Sequence, residues 1–466
     1  MSTFTLSTLD RGAPRAYIRY ALTFACEVNQ STAAVERLQK ATKRLVSEIP
    51  MLAGVVATND QENPTITVTF QQVNDFEATV AYHQNEHPNY ETIRGQGIAP
   101  RHVSDSSFTS LASDLTQDTN PCCAIQANLI DGGLILVIYL HHAVADIRGV
   151  ATIIRLMSEG LPARELSEES LESEAMTVSQ ARARLSSGSG APAFLASARD
   201  VEQRQQLITQ DDGIQSNRDS PVKDSSDPRP STFSNRAAIF RFKLNIIRQT
   251  SEMINTRRSL RDPNTTDKIT PREVLIVILW RAYVRARWPH GAPDNSRTSI
   301  SIPVDMRRHL VPPLEPHWMG NAEATAIASE QTLLLGLPYD LSSIERTAAI
   351  IHASVNSASS DLLTRSRIEM INQSTGPLEP SQTQLIVHDW TPVPNMLEQE
   401  MDVGLGLGRP DAIRRIGQGF DMNEVVLLPE NSQTQAWDVQ VELRGDWMSA
   451  MASDGPLRGF LWSVAQ

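Results

Sequence analysis

Residues 133–140 read GLILVIYL, an apolar run that ends abruptly in His141 and His142. Alternation places Leu134, Leu136, Ile138, Leu140 and His142 on one face, with Ile135, Val137, Tyr139 and His141 on the other. Both faces are apolar up to the histidines, which predicts a central strand covered on both sides with the pair at its end. TITVTF at 65–70, SISIPV at 299–304 and EVVLLP at 424–429 carry the same strand character. Helical spacing replaces it at 31–49, where Val35, Leu38, Leu45 and Ile49 recur and Pro50 stops the pattern. At 270–287, Thr270 suits an N-cap, Pro271 the first helical position and Glu273 the partner of a capping box. A further helix is expected from Ser342, with Glu345 three residues on. Helices and strands interleave, so the fold class is α/β in the broad sense, mixed α and β.

Between 161 and 235 the pattern fades into LPARELSEESLESEAM, SSGSGAP and QSNRDSPVKDSSDPRPSTFSN, with few residues able to drive burial. A polar surface crossover is expected there. With 466 residues, two domains are the default, divided as 1–165, a linker at 166–235, and 236–466.

Charge and cysteine content narrow the class. A net charge of -12 without a dense basic run argues against a nucleic-acid partner. The three cysteines, Cys26, Cys122 and Cys123, include no CxxC, so neither a disulfide framework nor a zinc cluster is signalled. No stretch approaches the roughly 20 apolar residues of a membrane span, and the N-terminus lacks a signal-peptide core. A soluble, reduced, cytoplasmic protein is expected.

His142 with Asp146 forms HxxxD. The same spacing recurs at His290 and Asp294, in a Pro- and Gly-containing loop where solvated polar residues are ordinary, and that pair is assigned no function. At the end of a buried strand, a structural histidine and a general base are both open. HHxxxD could supply three metal ligands, but no companion His or Cys cluster is evident, and no metal site is assigned. A neutral imidazole of ordinary pKa can take a hydroxyl proton near neutral pH. Neither GxSxG nor a nucleophilic cysteine setting is present, so direct attack by an acceptor is simpler than a covalent enzyme intermediate. Asp146 either contacts the ring or braces the turn.

YLHHAVADIRG resembles the HHxxxD box of the BAHD-like acyltransferases and of peptide condensation domains. DVGLGLGRPDAIRR, from Asp402, resembles the DFGWG box in its fungal form. ITPREVLIVILWRAYVRAR, SIPVDMRRHLVPPLEPHWMGNA and LSTLDRGAPRAYIRYALTF resemble further family segments in the expected order, most closely in the fungal secondary-metabolite group that includes trichothecene O-acetyltransferases. The resemblance implies two chloramphenicol-acetyltransferase-like domains with a channel between them, and a monomer that needs no partner beyond acyl-CoA, as cosubstrate, and a small-molecule acceptor. It implies His142 as base, Asp146 held by Arg307, and Asp402, Gly404 and Gly406 as support residues of the second box. GLGLG is otherwise a turn, since Arg409 stands where a dinucleotide fingerprint needs glycine. Arg409, Arg414 and Arg415 could meet CoA phosphates or form a solvated basic face.

Three positions depart from the family pattern. Ile147 follows Asp146 where glycine is common, in a turn that can require close approach or positive φ. Leu405 replaces an aromatic residue. Asp389 precedes Trp390 where Ser or Thr is usual, putting a charge where a hydroxyl could have aided an oxyanion. The sequence thus predicts an acyl-CoA-dependent O-acyltransferase, acetyl transfer foremost, acting on a hydroxyl of a small secondary metabolite. Its rivals are condensation from a carrier-protein thioester, and an altered family member that binds or transforms a metabolite without CoA.

Overall fold

The computed structural model describes residues 2–59, 65–70, 75–104, 106–109, 111, 119–158, 235–293, 295–315, 318–337, 339–373, 383–391, 403–417, 423–431 and 434–466, and positions 176, 178, 180, 182, 183, 185 and 186. Three sheets carry the fold. The N-terminal half holds β1 (Ser2–Thr5), β2 (Tyr17–Ala25), β3 (Val55–Asn59), β4 (Thr65–Phe70), β5 (Thr79–Tyr82), β6 (Thr119–Pro121), β7 (Cys123–Ile130) and β8 (Gly133–His141). The C-terminal half holds β9 (Asn235–Lys243), β10 (Arg297–Asp305), β11 (Glu323–Gln331), β12 (Leu385–Asp389), β13 (Ala412–Arg415), β14 (Glu424–Asn431), β15 (Ala436–Arg444) and β16 (Leu461–Ala465). A small sheet runs β1-β4-β3-β6, a seven-stranded sheet β11-β10-β12-β14-β15-β9-β16, and a five-stranded sheet β13-β2-β8-β7-β5.

β8 is the expected central strand. All nine of its residues are buried. Besides the short helices α1 (Thr8–Arg11) and α3 (Tyr90–Gly95), the N-terminal half holds α2 (Val28–Glu48) and α4 (Ile147–Ser158), which pack in one core with Leu134, Leu136, Ile138 and Leu140. Ile135, Val137 and Tyr139 join a second core with Tyr17, Tyr90 and Phe108. Two aligned neighbours fix its register, with Tyr17 opposite His141 in β2 and Cys123 opposite Leu140 in β7.

The large sheet is covered by α5 (Leu244–Arg261), α6 (Pro271–Arg287) and α7 (Leu341–Ala358). α6 is buried almost all round, from Glu273 to Val284, as a helix in the middle of a large core should be. Its capping box is present, with Thr270 N donating to Glu273 Oε2 at 2.6 Å and Glu273 N donating to the Thr270 hydroxyl at 3.2 Å. The helix expected from Ser342 starts earlier: Asp340 is the cap, accepting from Ser343 N at 3.0 Å. Glu345 instead pairs with Arg261.

Two contacts cross the segments read from the sequence. β13, from the C-terminal half, pairs with β2 and extends the sheet that carries β8, so the span 236–466 does not stay with one sheet. Within the polar crossover, Arg182 and Leu185 are each only 1% exposed. Few apolar residues surround Arg182 in the chain, but a buried carboxylate far away in sequence draws it inside.

Candidate active site

His142 stands one residue past β8. Its amide donates to Ala16 O at 2.9 Å, and Asn321 Oδ1 lies 3.2 Å from its Nδ1. The orientation of Asn321 is fixed by its other amide atom. Nδ2 faces Asp10 Oδ1 at 2.9 Å and the carbonyl oxygen of His142 at 2.8 Å, both acceptors at neutral pH. Oδ1 must therefore be the atom turned to the imidazole, and a neutral ring meets it with Nδ1–H. The lone pair then sits on Nε2. Burial lowers the His142 pKa, opposed by Asp146 and the Asn321 bond and reinforced by the charge of His388. Neutral imidazole with a defined basic nitrogen is the state a general base requires.

His141 has the opposite character. It is 1% exposed, packs edge-on against Tyr17 with centroids 5.7 Å apart, and accepts from Ala143 N at Nδ1, at 3.1 Å. Burial, then the charges of Arg15 and His142, push its pKa down to about 3. It is a neutral residue of the core and of the turn.

Two buried ion pairs brace the loop, one reaching it from the C-terminal half and one from the polar crossover. Arg307 Nη2 donates to Asp146 Oδ1 at 2.8 Å and Oδ2 at 3.0 Å, and to Gly320 O at 2.9 Å. Asp146 also accepts from Ala322 N and Arg148 N, each at 3.0 Å. This places it in the role of brace, tying α4 to β11 and the segment before it. Arg182 pairs with Asp10, and donates to Val144 O at 3.0 Å and Met319 O at 2.9 Å. Its guanidinium lies over the Phe4 and Trp318 rings, 5.7 and 5.5 Å from their centroids. Asp10, Arg182 and Asn321 escaped the sequence reading as functional residues, although LSTLD and WMGNA, which contain two of them, were family-like segments.

In the second box, Asp402 lies outside the described residues. Gly404 and Gly406 have φ of 76° and 72°, which L side chains rarely adopt. A Cβ on Gly404 would stand 2.7 Å from both Ala41 Cβ and Met157 O. Glycine is therefore what lets this loop rest on α2 and α4. Leu405, 1% exposed, fills that contact in the same core as β8.

The other two departures are accommodated as well. Ile147 is the first residue of α4, packs on the N-terminal core, and is not among the positive-φ residues. Asp389 pairs with Arg272 at 3.0 Å, and one of its oxygens accepts from Thr391 N at 3.0 Å and Thr391 Oγ1 at 2.6 Å. Its charge is thus matched, with β12 alternation turning it away from the side taken by His388.

Arg414 donates inward to Ile98 O at 2.7 Å and Gly97 O at 3.1 Å, and Arg415 pairs with buried Glu424. Neither is a solvated phosphate ligand; Arg409 is exposed. A cleft of about 650 Å³ between the halves has Arg19, Arg101, Arg236 and Glu442 in its wall. The three cysteines are buried and free. Among the described residues no helix is long and apolar enough to cross a membrane.

Comparison with known proteins gives the family. A model of the Transferase family matches residues 1–457. The O-acetyltransferase ptmV of Penicillium ochrochloron is 22% identical across 97% of this chain and 95% of its own. The trichothecene 8-O-acetyltransferase of Fusarium sporotrichioides is 24% identical across 69% of this chain and 66% of its own. The structure of F. graminearum TRI101 complexed with coenzyme A and deoxynivalenol superposes with a TM-score of 0.74 at 18% identity, covering 100% of both chains. Matched by the family model over nearly all its length, the chain belongs to the Transferase family and is an acyltransferase of the HHxxxD kind.

Proposed function

We propose that this protein transfers an acyl group, acetyl foremost, from acyl-CoA to a hydroxyl of a small secondary metabolite, with His142 Nε2 as the general base. The observation that carries the assignment is the orientation of Asn321, whose Oδ1 faces Nδ1 and supports a hydrogen there, with Nε2 as acceptor. The O-acetyltransferase names of the relatives and the coenzyme A in the TRI101 complex support the donor and the acceptor class.

In the proposed reaction Nε2 takes the hydroxyl proton as the oxygen attacks the thioester carbonyl carbon. The resulting tetrahedral intermediate collapses with cleavage of the C–S bond. The departing thiolate takes the proton back from the imidazolium, giving ester and free CoA thiol. Asp146, held by Arg307, fixes the loop and favours the imidazolium through its charge. Asp305 and Glu330 of the large sheet are not asked to react.

Ile147 and Asp389 are the departures that favour the rival without CoA chemistry, and both are accommodated in the structure. The test is incubation of the purified chain with acetyl-CoA and a fungal metabolite extract, with mass spectrometry of the products. Acetyl esters that depend on His142 are expected. Equal product from a folded His142→Ala variant would remove His142 as base, and no acyl transfer from any acyl-CoA would remove the function.

A further inference from the structure

The sequence signalled no metal cluster, yet one group of suitable side chains comes together away from the acyl-transfer site. The turn after β5 gathers His83, Glu86 and His87, and one ligand-capable atom of each lies within 4.8 Å of the others. His83 N bonds Leu129 O at 2.8 Å, and Leu129 pairs with Leu134 at the start of β8. His142 lies past the other end of that strand, roughly 25 Å away at about 3.4 Å per residue.

The hydrogen bonds around His83 leave a mismatch. Its Nε2 is 3.2 Å from Asn128 Oδ1 and its Nδ1 is 3.1 Å from Glu86 Oε2. Asn128 cannot be turned over, because its Nδ2 donates to the carbonyl oxygens of Phe108 and Ile135, each at 3.2 Å. Oδ1 is therefore an acceptor, already taking Gln126 Nε2 at 2.7 Å, and His83 must offer it Nε2–H. A neutral ring then points the Nδ1 lone pair at a carboxylate oxygen, acceptor against acceptor. Something positive belongs between them. A proton could fill that role, but a proton gives no part to the second imidazole beside it. His87 has its ring centroid 5.5 Å from that of His83 and its Nε2 3.0 Å from the Ser107 hydroxyl.

We propose that His83, Glu86 and His87 bind a divalent transition-metal ion of the zinc class. Two imidazole nitrogens and one carboxylate oxygen, with water in the fourth position, are a zinc-type donor set. In a tetrahedron with bonds of about 2.0–2.1 Å, ligand atoms stand roughly 3.3 Å apart, close to the observed His83–Glu86 separation. Asn128 orients the His83 ring from behind, as second partners of metal-bound histidines do. The ion would hold the turn after β5 rigid and set both imidazoles against Phe108, whose ring centroid lies 5.2 and 4.3 Å from theirs.

The test uses the full chain stripped by chelator and dialysed. Zinc titration followed by calorimetry and metal analysis should show one tight ion per chain, and Glu86→Gln and His87→Ala should each weaken it at least tenfold. Glu86 is exposed, so its variant keeps the fold, and acyl transfer by it should match the parent. Cobalt-loaded parent should show the visible absorption of a tetrahedral site, absent in Glu86→Gln. Absence of a tight ion in the parent would overturn the proposal and leave a proton-bridged pair. Equal affinity in parent and both variants would overturn it by placing the ion elsewhere.

Discussion

Two asparagines in this chain each hold a histidine, and they leave opposite ring nitrogens open. At the end of β8, Asn321 accepts at Nδ1 of His142 and frees Nε2. Beside β5, Asn128 accepts at Nε2 of His83 and frees Nδ1. In both places the amide is oriented by bonds to oxygen atoms that can only accept, so the tautomer of the neutral ring follows. The difference lies in what meets the freed nitrogen. For His142, no hydrogen bond to Nε2 is present among the described residues, which suits a group awaiting substrate. For His83 a carboxylate stands 3.1 Å away, which suits a cation.

Breaking the first arrangement should have the largest effects. His142→Ala should lower acyl transfer by about 10²–10⁴-fold, the usual contribution of a positioned base, with an unchanged circular-dichroism spectrum. Arg182→Met should cost about 3–5 kcal/mol of unfolding free energy, because it strands the fully buried Asp10 carboxylate. Urea denaturation measures this, and adding Asp10→Asn should recover part of the loss. Asn321→Ala should lower kcat more than KM, since it frees the tautomer without touching the acceptor pocket's shape. It should also destabilise by about 1–3 kcal/mol through the donors and acceptors left unpaired.

Acidification probes both members of the histidine pair. A folded-state pKa below the ordinary value means that the unfolded chain binds the proton first, so stability is complete above the unfolded pKa and falls as pH drops below it. With His141 near 3 when folded against about 6.5 when unfolded, about 2 kcal/mol should be lost between pH 7.5 and pH 5, seen as a lower urea midpoint. The lowering at His142 adds in the same direction. For the same reason kcat/KM should be flat above pH 6.5 and fall only on the acid side of it. The smallest effect is expected at Asp389→Asn, which loosens a half-buried pair with Arg272. A change within about 1 kcal/mol is expected there, with transfer activity retained.

The elements around His142 were legible because their patterns are strong. GLILVIYL has two apolar faces and lies between two core layers, and TPRE carries both halves of a capping box. His142, Asp146 and Arg307 could be placed by resemblance, and the structure brings Asp146 and Arg307 into a two-oxygen contact. Other features had no local signal. Arg182 sits in a polar, serine-rich stretch, and its burial depends on Asp10, separated by 172 positions. The choice between Nδ1 and Nε2 depends on three side chains that meet only on folding. At 83–87 the sequence reading found no cluster, because the meaning of His83, Glu86 and His87 rests on Asn128 and Ser107 from other segments. Ile147 illustrates the reverse error: as the residue after the motif it suggested a strained turn, and it is an ordinary first residue of a helix.

In the proposed mechanism the neutral His142 ring carries its hydrogen on Nδ1 and offers Nε2 to the substrate hydroxyl. A long-range ¹H–¹⁵N correlation spectrum of histidine-labelled protein at pH 7.5, with His142 assigned by comparison with His142→Gln, reads this directly. A protonated Nδ1 and an unprotonated Nε2 are expected. An Nε2–H tautomer, or an imidazolium at that pH, would contradict that mechanism.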